Sequence, residues 1–157
     1  MQLPDEPLLE RYTTLGAVAA VTNRIMMTQV VGANSFRNPA LLAKITSTLD
    51  NISGGRFELG IGAGWLREEY EAYGYPYPSN AERDQLEEGI RIIKAMWTPD
   101  EPSFHGRYFH IDKAYNFPKP VQKPQPKILI GSSGKKILEV IARHARHRQH
   151  RAQRNHR

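Results

Sequence analysis

Three stretches of small residues could bring main chain against a flat ring or a phosphate: Val31-Gly32-Ala33, residues 60–64 (GIGAG) and residues 131–134 (GSSG). A glycine has no Cβ to hold a ligand away from the backbone. Gly131, Ser132, Ser133 and Gly134 run straight into a helical pattern. Exposed N–H groups, two hydroxyls and a helix N-terminus could together cradle a phosphate, with Lys135 and Lys136 adding charge. Taken singly, each stretch reads more readily as a tight strand-to-helix turn. Residues 60–65 (GIGAGW) match a dinucleotide fingerprint only in part, because the third glycine is absent at the required spacing.

Other chemistry finds little support. His105 and His110 sit beside a turn, without cysteine or paired carboxylates at ligand spacing, and read as surface residues. Glu68, Glu69 and Glu71 read as the solvated face of a short helix. There is no nucleophile elbow, phosphate-binding Walker loop or zinc motif.

The elements that must position these turns follow from periodicity. Residues 6–21 predict an amphipathic helix capped by Asp5, with Leu8, Leu9, Tyr12, Leu15 and Ala19 on one face. Residues 25–31 (IMMTQVV) predict one strand buried on both faces, and 32–35 a loop. Asn38-Pro39 predicts a helix start running to about Asp50, stopped by Ser53-Gly54-Gly55. Residues 57–62 predict a strand, 65–73 a helical turn or two, and 74–79 a rigid loop. Asn80 is expected to cap a long helix with Leu86, Ile90, Ile93 and Trp97 as its stripe. Residues 103–110 predict a hairpin turning at His105-Gly106, and the proline-rich 118–126 an extended connector. A third strand over 127–130 and a helix from 135 to about 145 complete the series. Short apolar strands alternating with helices imply an α/β fold with a parallel sheet, in either an open doubly wound form or a closed eightfold barrel. In both, ligands bind at the carboxyl ends of the strands.

The chain has 157 residues, enough for one hydrophobic core, and a formal net charge of +6. Five of those charges come from arginines in residues 146–157 (RHRQHRAQRNHR), so the body is close to neutral. The tail could bind nucleic-acid phosphates. With Ala152 as its only apolar residue, it reads as a disordered segment instead, and nucleic acid is not the expected partner. The absence of cysteine, of a signal-peptide pattern and of a membrane-length apolar run suits a soluble, cytoplasmic protein.

Residues 37–44 (RNPALLAK), 48–50 (TLD), 53–56 (SGGR) and 59–65 (LGIGAGW) together resemble the luciferase-like monooxygenase superfamily, in particular its coenzyme F420-dependent oxidoreductases. Glu82, Arg83, Leu86, Glu87, Met96 and Trp97 follow in the same order, as do residues 104–109 (FHGRYF), 118–122 (PKPVQ) and 128–131 (ILIG). The resemblance covers about Pro7 to Ala145. It implies a partial (β/α)8 TIM barrel over residues 1–145, holding strands three to five with their helices, followed by the basic tail 146–157. It also implies an oxidoreductase passing a hydride between coenzyme F420 and a small organic substrate, or a monooxygenase using reduced FMN and oxygen. A bulge backing the cofactor ring maps onto Gln29 and Val30, and the loop beside the ring onto Gly62 and Ala63. The phosphate turn maps onto Gly131, Ser132, Ser133 and Gly134. Trp65 stands where the sugar-phosphate dehydrogenases of the superfamily place a proton-donating glutamate, which argues against their substrate. A partial barrel would leave strand edges open, favouring self-association.

Overall fold

A computed structural model describes residues 7–131 and 137–144, and the backbone of 147–149. The first helix is shorter than its pattern. α1 spans Arg11–Val21, and Glu10 rather than Asp5 is its cap, its carboxylate accepting from Thr13 N at 2.8 Å. Leu8 and Leu9 lie before the cap and are exposed, while Tyr12 and Ala19 are buried. Asp5 itself lies outside the described residues.

The predicted strand over 25–31 is two strands. β1 (Met27–Thr28) and β2 (Gly32–Ala33) both pair in parallel with β3 (Phe57–Gly62). Thr28 faces Glu58 and Gly32 faces Ile61, so three residues, 29–31, stand opposite two, 59 and 60. One extra residue on one side of a ladder is a bulge. Its Val30–Val31 peptide is cis. Ile25, Met26 and Val30 are exposed, so this segment is not the doubly buried strand that its composition suggests. Residues 34–36 form a 3-10 turn instead of a loop.

α2 (Pro39–Ser53) begins as expected: Asn38 Oδ1 accepts from Ala40 N at 2.8 Å and Pro39 occupies the first turn. Gly54, at φ 62°, ends it. α3 (Arg67–Ala72) is short, and α4 (Glu82–Trp97) buries the expected stripe. Asn80 does not cap α4. It sits at φ 61°, a conformation that asparagine tolerates better than most residues, and Ala81 takes the cap position without a side-chain bond. Glu82 and Asp84 in the first turn offset the exposed N–H dipoles there.

β4 (Phe104–His105) and β5 (His110–Ile111) form the hairpin. β6 (Ile128–Gly131) pairs in parallel with β3, α5 spans Leu138–His144, and β7 (His147–Gln149) pairs in parallel with β6. The sheet order is therefore β1-β3-β6-β7, with β2 beside β3. β7 falls within the segment expected to be disordered. Pairing uses backbone groups, so a polar composition does not prevent the open edge of β6 from taking a strand. Phe57, Leu59 and Ile61 alternate with Glu58, Gly60 and Gly62. The first set packs with Ile128 and Ile130 against Leu42, Leu49, Leu86, Ile90, Ile93 and Trp97 in one core between sheet and helices. No helix among the described residues is long and apolar enough to cross a membrane.

Polar side chains hold these layers in register. The Arg56 guanidinium donates to Ser53 O and Thr22 O at 2.7 Å, Ile25 O at 2.8 Å, and Ala19 O and Thr22 Oγ1 at 3.1 Å. It thus joins the ends of α1 and α2 at the foot of β1. Asp50, wholly buried, accepts from Gln122 N at 3.0 Å and Gln122 Nε2 at 2.6 Å. Gln122 Nε2 also donates to Phe57 O at 2.7 Å, fastening the proline-rich connector to β3. Replacing Arg56 with Ala should cost about 2–4 kcal/mol, since several carbonyls lose a charged donor at once. Urea unfolding of Arg56→Ala beside the parent chain measures this, and an unchanged midpoint would show that the hub is dispensable.

Candidate functional site

The register aligns the glycine-bearing ends of the three strands. Ala33 lies beside Gly62 on one side, and Gly131 lies beside Gly62 on the other. The carboxyl ends of β2, β3 and β6 therefore form one continuous lip. This is where parallel α/β sheets bind ligands.

The bulge dictates the shape of that lip. A Cβ on Gly60 would fall 1.7 Å from Gln29 O, so the bulge can exist only opposite a glycine. The chain then turns Val31 onto the next two glycines. Its Cγ2 would lie 2.8 Å from a Cβ on Gly62 and 2.6 Å from one on Gly131. The Val31 isopropyl group thus occupies the hollow that these glycines leave. Val30 stands outside it, 61% exposed at the end of the sheet.

Behind the bulge, buried Gln29 donates from Nε2 to Tyr12 Oη at 2.7 Å. Gln29 Oε1 and Arg11 Nη1 are buried without a hydrogen-bond partner among the described residues. The Arg37 guanidinium lies 4.7 Å from the Tyr12 ring centre and pairs with Glu10. Burial pushes the Tyr12 phenol up to about 12, with Arg37 and Arg11 opposing the shift.

The loop after β3 packs on aromatic side chains. Gly64 has φ +89°, and a Cβ there would fall 1.9 Å from Tyr70 Oη. Tyr70 lies 4.4 Å from the Phe36 ring and 5.2 Å from the Tyr77 ring, and burial raises its phenol above the usual range. Ala63 joins the hydrophobic core through its methyl, so it can offer the lip only its backbone.

The residues expected from the sequence thus divide. Gln29, Val30, Gly62 and Gly131 gather at the lip, and Ala63 contributes main chain. Ser132, Ser133 and Gly134, with Lys135 and Lys136, lie outside the described residues. Tyr12 and Tyr70 were not expected at the site, and Val31 and Gly60 were expected there only as members of the small-residue strand ends, without the packing roles they take. Gly60 carried a signal, as one of the three glycines in 60–64, but its bulge-permitting contact depends on a residue 31 positions earlier. Glu68, Glu69 and Glu71 stay on the surface of α3, where Glu71 pairs with Arg67 at 3.7 Å. No cluster of three or more metal-ligating side chains occurs among the described residues.

Residues 3–147 match the family model of luciferase-like monooxygenases, and the chain belongs to that family. It is 35% identical over 147 residues to an uncharacterized protein of Mycobacterium tuberculosis, a match covering 91% of this chain and 51% of that protein. It is 33% identical to the FMNH(2)-dependent dimethylsulfone monooxygenase of Pseudomonas putida, covering 85% of this chain and 37% of the enzyme. Among solved structures, an F420-dependent secondary alcohol dehydrogenase in complex with an F420-acetone adduct superposes with a TM-score of 0.82 at 21% identity. That superposition covers 92% of this chain and 44% of the dehydrogenase. The fold is therefore a partial luciferase-like TIM barrel, and the chain spans about half the length or less of the curated relatives it matches.

Two outcomes follow from the site. Gly60→Ala should destabilise the chain by about 3 kcal/mol, because its methyl group meets backbone rather than a movable side chain; denaturant titration reads this directly. The folded chain holds the Tyr12 proton to a higher pH than the unfolded chain. Stability from Tyr12 is therefore complete below about pH 10 and declines as pH rises toward 12, by roughly 3 kcal/mol at most. Tyr12→Phe should flatten the stability profile over that window, and a profile of unchanged slope would remove Tyr12 as its source.

Proposed function

We propose that the lip formed by Gln29, Val30, Val31, Gly62 and Gly131 binds the tricyclic ring of coenzyme F420, and that the chain belongs to an oxidoreductase acting on a small organic substrate. The observation that carries this reading is the Val31 side chain seated on Gly62 and Gly131. It builds a flat apolar backing at the ligand-binding end of the sheet. The exposed Val30 extends that backing. A deazaflavin ring is broad, planar and largely apolar on its faces, which suits such a surface. When bound, the ring would supply hydride transfer, and the protein's task is to place it against the substrate and keep water away.

The chain's own residues divide this task. Val30 and Val31 back the ring. Gly62 and Gly131 leave the hollow that seats Val31, and Gln29, held by Tyr12, fixes the bulge. The turn of Gly131, Ser132, Ser133 and Gly134 would take the cofactor phosphate with its N–H groups and hydroxyls. FMN is the second reading, favoured by the FMNH(2)-dependent monooxygenase at 33% identity; in that case the chemistry is oxygenation of the substrate.

F420 and FMN both fluoresce, so each can be titrated with the purified chain while emission and anisotropy are followed. The reading expects a rise in anisotropy at micromolar protein for one of them. Val30→Lys, at an exposed position, should weaken that binding at least tenfold while the circular dichroism stays unchanged. If neither cofactor responds, the lip is not a ring site in this chain.

A further inference from the structure

A second place on the molecule gathers metal-binding chemistry that the barrel lip does not use. His105 and His110 face each other across the β4–β5 hairpin. Gly106 N–H donates to Phe109 O at 2.9 Å, making 106 and 109 the hydrogen-bonded pair. Opposed pairs alternate in an antiparallel ladder, so 105 and 110 form the non-hydrogen-bonded pair, whose side chains stand closest. The imidazole rings lie 4.3 Å apart, and their Nδ1 atoms share a hydrogen bond at 2.8 Å, one ring donating and the other accepting, so a bound ion would replace the shared proton. Both residues are exposed.

The hairpin under them is held firmly. Glu88 on α4 turns its carboxylate into the bend, accepting from Arg107 N and Tyr108 N at 2.9 Å and Phe109 N at 3.1 Å. A Cβ on Gly106 would fall 2.3 Å from Glu88 Oε2, which is why glycine occupies that position. On the far side, Ser103 Oγ donates to Asp112 Oδ1 at 2.8 Å and accepts from Lys113 N at 3.0 Å. The two imidazoles are therefore presented on a braced support and not on a free loop.

We infer that His105 and His110 form a bidentate site for a divalent transition-metal ion that prefers ligands at right angles, with water completing its coordination. The bite decides the type of ion. An ion about 2.0–2.1 Å from each Nδ1 would see the two nitrogens at an angle of about 86° when they are 2.8 Å apart. A tetrahedral angle would need them about 3.3 Å apart, which disfavours Zn²⁺. Square-planar or tetragonal nitrogen–oxygen coordination is the preference of Cu²⁺ and Ni²⁺. Both imidazoles must be neutral to bind, so affinity falls with acidification.

The test uses the untagged 157-residue chain and Cu²⁺ alone, followed by calorimetry and by electron paramagnetic resonance. One ion per chain should bind at neutral pH, with hyperfine structure from two equatorial nitrogens. His105→Ala and His110→Ala should each weaken binding at least tenfold, and Zn²⁺ should bind the parent chain more weakly than Cu²⁺. The tail also holds His147, His150 and His156, so a variant with all three replaced by Asn serves as the control and should bind as the parent does. Binding that survives loss of both hairpin histidines, or disappears in the tail variant, would overturn the assignment, as would the absence of binding.

Discussion

The arrangement of the lip depends on a single close approach, the carbonyl oxygen of Gln29 against the bare Cα of Gly60. Strands in register would place residues 29–31 along the edge of β3 one for one. The extra residue cannot be accommodated unless its backbone moves toward its neighbour, and only a glycine leaves room. The remaining geometry follows from that displacement. Tyr12 and Gln29 are brought together behind the bulge, Val31 is laid across Gly62 and Gly131, and Val30 is turned outward. A cluster of glycines often read as a loop signal is, at Gly60, a packing requirement inside a strand.

Several sequence runs shared with the family prove to be fasteners and not chemistry. Arg56, closing the run 53–56 (SGGR), joins two helix ends through carbonyl groups that would otherwise lack donors. Asp50 and Gln122, which are 72 residues apart, tie α2 to the connector and to β3. The run 104–109 (FHGRYF) places three N–H groups around the Glu88 carboxylate, with Gly106 admitting it. Each satisfies backbone groups at a turn, where no ladder or helix does so. Such positions are constrained as tightly as a binding site, which is why motif order alone identifies the family without identifying the cofactor.

Much of the fold was legible because its signals are local. Asn38-Pro39 and Gly54 act within one helical turn, so the start of α2 and its terminating glycine agree with the pattern. The run 57–62 alternates large apolar residues with Glu58 and glycines, and it coincides with β3. The expectations that departed from the structure were those in which one residue type serves two purposes. Leu8 and Leu9 continue an apolar stripe, but Glu10 supplies the better cap, so α1 starts after it. Asn80 is a good cap and also a good left-handed residue, and the turn from 74 to 81 required the second property.

The amino-acid sequence by itself determined the class of fold and the three strand ends that face a ligand, because these depend on periodicity and on glycine placed at strand ends, while its ordered motifs carried the resemblance to the family. Only the tertiary structure decided which residues those strand ends present. It showed that 25–31 splits around a bulge, that Val31 rather than Val30 covers the glycines, and that Ala63 belongs to the core. The physical reason is that strand register couples residues 29–31, 59–62 and 131. Which side chain faces which cannot be read until those distant segments are laid side by side.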